Sequence, residues 1–177
     1  MDKFLSILMA NADGGGKDRA SVMSDNNYQI TIEEVPGRQL LGTWMHLNAA
    51  EDKDECLGLW RAFARRIKAQ TGLEAGEGYG LCVNVRENLD CDYWTAIEAL
   101  PGAPIPSGMV PVTLDGGRYV CLTVDSGACL ADCLAFIYNS WEKSQDAYKL
   151  DRSKPGFEQY GPNWEKRNAL RICVPCR

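Results

Sequence analysis

Histidine is nearly absent from this chain of 177 residues, with His46 its only example. A histidine-rich metal centre is therefore excluded, and a serine-histidine triad is left only if His46 is its base, with no GxSxG nucleophile elbow beside it. Haem ligation would rest on the same single side chain. Long apolar runs are also missing. Nothing approaches the roughly 20 residues of a membrane-spanning helix, and the short apolar stretch from Phe4 to Met9 has no small-residue cleavage site behind it. Nor is there a basic stripe: 24 acidic residues against 19 basic ones give a net charge of -5, the wrong sign for gripping a phosphate backbone. We expect a cytoplasmic protein with no direct nucleic-acid partner and no membrane attachment. Gly14-Gly15-Gly16-Lys17 lacks both the preceding strand and the spacing of a phosphate loop, and we take it as linker.

Cysteine, by contrast, is plentiful. The eight cysteines are scattered through regular-looking segments of a chain without a signal peptide, so they are expected to be reduced and mostly buried rather than a disulfide framework. Cys173-Val174-Pro175-Cys176 has CxxC spacing, but a structural zinc site needs two more ligands and a redox dithiol usually opens a helix, whereas this one ends the chain. Cys129 and Cys133 share a helix face as small hydrophobes. No metal or other cofactor is expected.

With 45% hydrophobic residues the chain can bury one good core, so we expect a flexible tail over residues 1–26 and a single domain over 27–177. Alternation of apolar and polar residues predicts strands over 29–35 and 39–47. From Asp52 to Gln70, the residues Cys56, Leu57, Trp60, Phe63, Ala64 and Ile67 recur at three- and four-residue spacing, which predicts an amphipathic helix. Strands follow over 79–86 and 92–100, then a Pro- and Gly-rich connection over 101–108 that suggests a midpoint hinge. The order then recurs: a strand over 119–124, a helix over about 128–143, a short extended piece at 157–160 and a last strand over 169–174. A shift of 77 residues carries Cys56-Leu57 onto Cys133-Leu134 and Gly78–Val85 onto Pro155–Pro162. The fold expected is therefore α+β: duplicated β-α-β-β units pairing into one curved antiparallel sheet, two helices on one face, and a cleft between the halves.

Within the short extended piece, Glu158 stands between Phe157 and Tyr160 in an otherwise apolar stretch. Such a carboxylate is either a solvated edge residue or the charge at the bottom of a pocket; we take the pocket. Held in an apolar cavity, a carboxylate is disfavoured by desolvation, and an arriving organic cation supplies the missing partner while its body covers aromatic walls. Aromatic faces add about 0.5 to 2 kcal/mol per cation-π contact. Because such contacts demand little directional matching, breadth of ligands is expected rather than one cognate molecule.

Leu59-Trp60-Arg61-Ala62-Phe63, Gly78-Tyr79-Gly80-Leu81-Cys82, Asp92-Tyr93-Trp94, Ile105-Pro106-Ser107-Gly108, Gly117-Arg118-Tyr119-Val120, Ile137-Tyr138-Asn139-Ser140-Trp141, Phe157-Glu158-Gln159-Tyr160 and Arg171-Ile172-Cys173-Val174-Pro175 occur in an order and spacing that resembles the GyrI-like small-molecule-binding domain. The same module is the effector-binding domain of AraC-type and MerR-type multidrug-responsive transcription regulators. The resemblance implies the duplicated fold, a pocket between its halves, and, at the position of Glu158, a buried glutamate that meets cationic or amphipathic organic ligands. The stretch before Tyr28 is too short for a helix-turn-helix or winged-helix domain, so a free-standing module is expected, similar to single-domain proteins of mobile gene cassettes.

The expected ligand-binding set is Glu158, Tyr160, Trp60, Tyr79, Trp94, Tyr93 and Tyr138. Tyr160 lies two residues from Glu158 and so on the same strand face. Trp60 is on the apolar helix face, where core packing competes with pocket lining. Tyr79 and Trp94 depend on a strand register that the sequence leaves open, and Tyr138, Trp141 and Trp44 fit core or rim better than pocket. Non-catalytic binding of cationic, lipophilic small molecules is the first functional expectation. Alternatives are a hydrolase of reactive toxins with Glu158 as general base, and an interaction protein acting on gyrase or on the transcription machinery.

Overall fold

A computed structural model of the chain describes residues 28–48, 52–71, 76–84, 86, 90–99, 102, 104–123, 133, 136–161 and 169–177. The expected 1–26 tail and most of the expected second helix lie outside the described residues. The strands are β1 (Gln29–Val35), β2 (Arg38–Asn48), β3 (Gly78–Val83), β4 (Asp90–Glu98), β5 (Val110–Leu114), β6 (Gly117–Thr123), β7 (Phe157–Tyr160) and β8 (Ala169–Pro175). Between β2 and β3 runs α1 (Lys53–Thr71); before β7 a π-helical turn, Phe136–Trp141, leads into the single helical turn α2 (Glu142–Ser144).

All eight strands form one antiparallel sheet in the order β1-β6-β8-β7-β3-β4-β2-β5. The duplication is visible in that order: β3 and β7 pair at the middle, β4 and β8 flank them, then β2 and β6. The outermost strands are exchanged, so that β1 completes the second half and β5 the first. Short connections force the sheet to curl. From β1 to β2 is six strand spacings, about 29 Å if the sheet were flat, yet Val35 and Arg38 are joined only through Pro36-Gly37, a reach of about 11 Å. Asp115-Gly116 makes the reciprocal connection from β5 to β6. The two turns meet so closely that a Cβ on Gly116 would lie 2.7 Å from the Gly37 nitrogen, which only glycine permits. One apolar cluster accordingly draws Val35, Leu40, Leu81, Ala96, Leu114, Cys121, Phe157 and Cys173 from all eight strands onto the curled face.

The opposite face carries the helices. In α1 the Asp52 carbonyl accepts the first helical bond from Cys56 N-H at 3.1 Å, Asp54 and Glu55 sit in the first turn, and Lys68 in the last, each charge favoured by the helix dipole. Its apolar stripe, Trp60, Phe63 and Ile67, buries against Leu47, Cys91, Tyr93, Met109 and Tyr160. Ile137 and Trp141 cover Val120, Leu122, Ile172 and Val174 in the same way over the second half.

Three details depart from the sequence expectations. β5 was not anticipated; Pro111 weakens it as a strand signal, and it survives because it is an edge strand that need not donate on its outer side. The strand expected to reach residue 86 ends at Val83, where Asn84 adopts φ 55°. Across the seam, Glu158 pairs with Gly80, and Leu81 pairs with Phe157. Leu81 therefore points to the curled face and Glu158 to the other, so the expected 77-residue shift superposes residues of opposite faces on β3 and β7.

Candidate functional site

Cross-strand partners on the helix-bearing face run in one row: Ile30, Leu122, Ile172, Glu158, Gly80, Thr95 and Thr43. Glu158 thus sits at the seam of the two halves, facing α1. Its neighbour across the seam has no side chain, and that is what makes room for it. A Cβ on Gly80 would lie 2.7 Å from the Tyr93 hydroxyl, 2.8 Å from Glu158 Oε2 and 3.5 Å from Trp60 Cζ2.

Around that gap the side chains form a chain of donors. Trp60 Nε1-H donates to the Tyr93 hydroxyl at 3.0 Å, Tyr93 donates to Glu158 Oε2 at 3.3 Å, and Tyr160 donates to the same oxygen at 2.6 Å. The Trp60 and Tyr160 rings meet edge-on, 4.9 Å between centroids at 61°. Trp60, Tyr93 and Tyr160 are buried, whereas Glu158 is half-buried. Burial holds the Tyr93 phenol well above its usual pKa, and the charge of Glu158 adds to the shift. Tyr93 therefore stays a neutral donor across the physiological range. Beside it, the Cys82 thiol is also raised, first by its hydrogen bond with Cys91, then by burial, with Glu158 contributing.

Of the seven residues expected at the site, the structure brings together Glu158, Tyr160, Trp60 and Tyr93. Tyr79 and Trp94 alternate with Gly80 and Tyr93 and so belong to the other face. There Tyr79 packs at a tilt against Phe157 with centroids 6.2 Å apart, donates to Glu77 at 3.4 Å and lies under the Arg38 guanidinium at 5.9 Å. Trp94 packs against Trp44 with centroids 6.0 Å apart. Tyr138 belongs to the second half, with the Arg152 guanidinium 5.6 Å from its ring centre. Gly80 is the residue that sequence reasoning missed. A signal existed, since glycine inside a strand marks close approach by another group, and β3 has Gly80 as well as Gly78.

Among the described residues no cluster of three or more His, Cys, Asp or Glu side chains is arranged to hold a metal ion. Cys173 and Cys176 of the CxxC sequence point into different clusters on opposite faces of the sheet. No described helix is long and apolar enough to cross a membrane.

A curled antiparallel sheet of two halves with helices on one face makes this an α+β domain, with a tyrosine-bound carboxylate at its seam. Residues 28–177 match the GyrI-like small molecule binding domain, and the chain belongs to that family. Among solved structures it resembles the integron cassette protein VCH_CASS2 from the mobile metagenome of Vibrio cholerae, at 17% identity over 85% of this chain and 97% of that one, with a TM-score of 0.57. SAV2435, solved with tetraphenylphosphonium bound, is 16% identical over 84% of this chain and 94% of its own, with a TM-score of 0.62. A hydrolase from Listeria innocua is similar at 8% identity over 84% and 92%, with a TM-score of 0.54. At such identities the likeness is one of fold. No curated protein matches the sequence.

Proposed function

We propose that this domain binds lipophilic or amphipathic organic cations at the seam between its halves, with Glu158 as counter-charge and Trp60, Tyr93 and Tyr160 as the aromatic surroundings, and that it does so without turnover. The observation that carries this reading is the half-buried Glu158 carboxylate with one oxygen held by two tyrosine hydroxyls, directly across the seam from Gly80. Phenols that donate to the carboxylate keep it oriented, and the rings beside it are buried, so a ligand's body meets them as the seam opens to admit it. Family membership supports small-molecule binding, and the fold is shared with a protein solved with tetraphenylphosphonium bound. The chain's net charge of -5 favours cations over anions at long range.

Tryptophan fluorescence titrated with tetraphenylphosphonium and several other lipophilic cations tests the proposal. Saturable binding of more than one of them is expected, with Glu158→Gln weakening each by about 10- to 100-fold. Unchanged affinity in Glu158→Gln would sink the mechanism. Recovery of every ligand intact after prolonged incubation is the outcome expected of a binding module; hydrolysis that disappears in Glu158→Gln would move the protein among enzymes.

A further inference from the structure

We propose that the cleft between α1 and the start of β5 is a second ligand site, for organic anions with an aromatic or aliphatic body. Its cavity, about 320 Å³, is lined chiefly by Thr43, Trp44, Leu59, Phe63, Arg66 and Val110. That is the size of a small-ligand pocket. It exists because β5 stops short: pairing with β2 ends at Gly42 and Val110, while β2 continues to Asn48. Thr43 and Trp44, the first residues past the last pair, are left without a neighbouring strand on that side, and α1 roofs the gap.

Two independent features point to what it takes. Arg66 is half-buried in the lining, and its Nη1 donates to the Gly108 carbonyl at 2.7 Å; among the described residues no carboxylate pairs with it. A guanidinium so placed keeps further N-H donors in the fork geometry that fits a carboxylate or sulfonate. The second feature is apolar. On the α1 side the cavity is lined by Leu59, Ala62 and Phe63, with Leu59 half-buried and Ala62 exposed. Trp44 and Val110 only border this cleft, because their side chains alternate with those of Thr43 and Pro111 and point to the curled face, where Trp44 packs on Trp94. An apolar lining beside one guanidinium matches an amphipathic anion, whose acid group meets Arg66 and whose body lies against Leu59, Ala62 and Phe63. The site is separate from the seam, since Trp60 turns to Glu158 while Leu59, Phe63 and Arg66 line the cleft.

Anilinonaphthalene sulfonate, an aryl anion that fluoresces in apolar surroundings, tests the site in the full chain, with uncharged phenylnaphthylamine as its comparison. Saturable binding of the sulfonate, tighter than that of the uncharged dye, is expected. Arg66→Gln should weaken the sulfonate about tenfold or more while leaving the uncharged dye and tetraphenylphosphonium unaffected. Ala62→Trp keeps Arg66 but fills the cleft from α1, and should remove both dyes. Melting temperatures of both variants check folding. Sulfonate binding that is unchanged in Arg66→Gln, that survives Ala62→Trp, or that is matched by the uncharged dye overturns the proposal.

Discussion

Replacing Gly80 by alanine adds one carbon to the most crowded point of the seam. The backbone there is not left-handed, so alanine is conformationally allowed, and a methyl in place of hydrogen reduces the entropy of the unfolded chain by about 0.4 to 1 kcal/mol. Against this stands the contact. The new Cβ would lie 2.7 Å from the Tyr93 hydroxyl and 2.8 Å from Glu158 Oε2, so each oxygen must retreat by roughly 0.6 Å or more to reach ordinary contact. Tyr93 is clamped from behind by the Trp60 N-H at 3.0 Å. Glu158 is the freer group, and it swings outward, losing one or both phenol donors. Overpacking of this kind costs about 1 to 3 kcal/mol, leaving a net loss of about 1 to 2 kcal/mol. In a domain of this size that lowers the melting temperature by about 2 to 8 °C. Calorimetry measures the first effect and tetraphenylphosphonium titration the second, where an affinity about tenfold lower is expected. A Gly80→Ala protein that melts at or above the wild-type temperature and binds the cation equally well would show that the carboxylate is not held against that glycine.

Gly58 provides the opposite case within the same domain, because it lies exposed in α1 with nothing within 4 Å of an added Cβ. Gly58→Ala should stabilise by about 0.5 to 1 kcal/mol in urea denaturation, and a loss would mean the helix face there is covered. Glu142 accepts two hydrogen bonds from Arg152, at 2.7 and 3.3 Å, and one from Leu150 N-H at 3.0 Å. The Arg152 bonds first, then that of Leu150, outweigh burial and hold its pKa below the ordinary carboxylate value. Its contribution is therefore present above about pH 4.3 and is lost as pH falls through the lowered value. Glu142→Gln should cost about 1 kcal/mol at pH 7 and make the acid limb of stability shallower; parallel limbs for variant and wild type would contradict the assignment.

Helix α1 and most strands were legible because their signals are local: a 3.6-residue stripe through Trp60, Phe63 and Ile67, and alternation through β1 and β2. The duplicated architecture was legible from element order alone. What escaped is set by register. Side chains alternate along a strand, so an error of one residue reverses every face. The neighbouring candidates Tyr93 and Trp94 could not both join Glu158, and the pairing of Cys82 with Tyr93 decided between them. For the same reason the 77-residue shift, an odd number, could not align the two seam strands: it carries Leu81, on the curled face, onto Glu158, on the other. β5 escaped because five residues with a proline carry little strand signal until β2 is there to pair with them.

A crystal structure of the full chain with tetraphenylphosphonium would decide where charge is read. The phosphonium centre should lie within about 6 Å of the Glu158 carboxylate, with phenyl groups against Trp60, Tyr93 or Tyr160. A cation lodged on the curled face beside Tyr79, or in the cleft beside Arg66, would contradict the seam as the cation site.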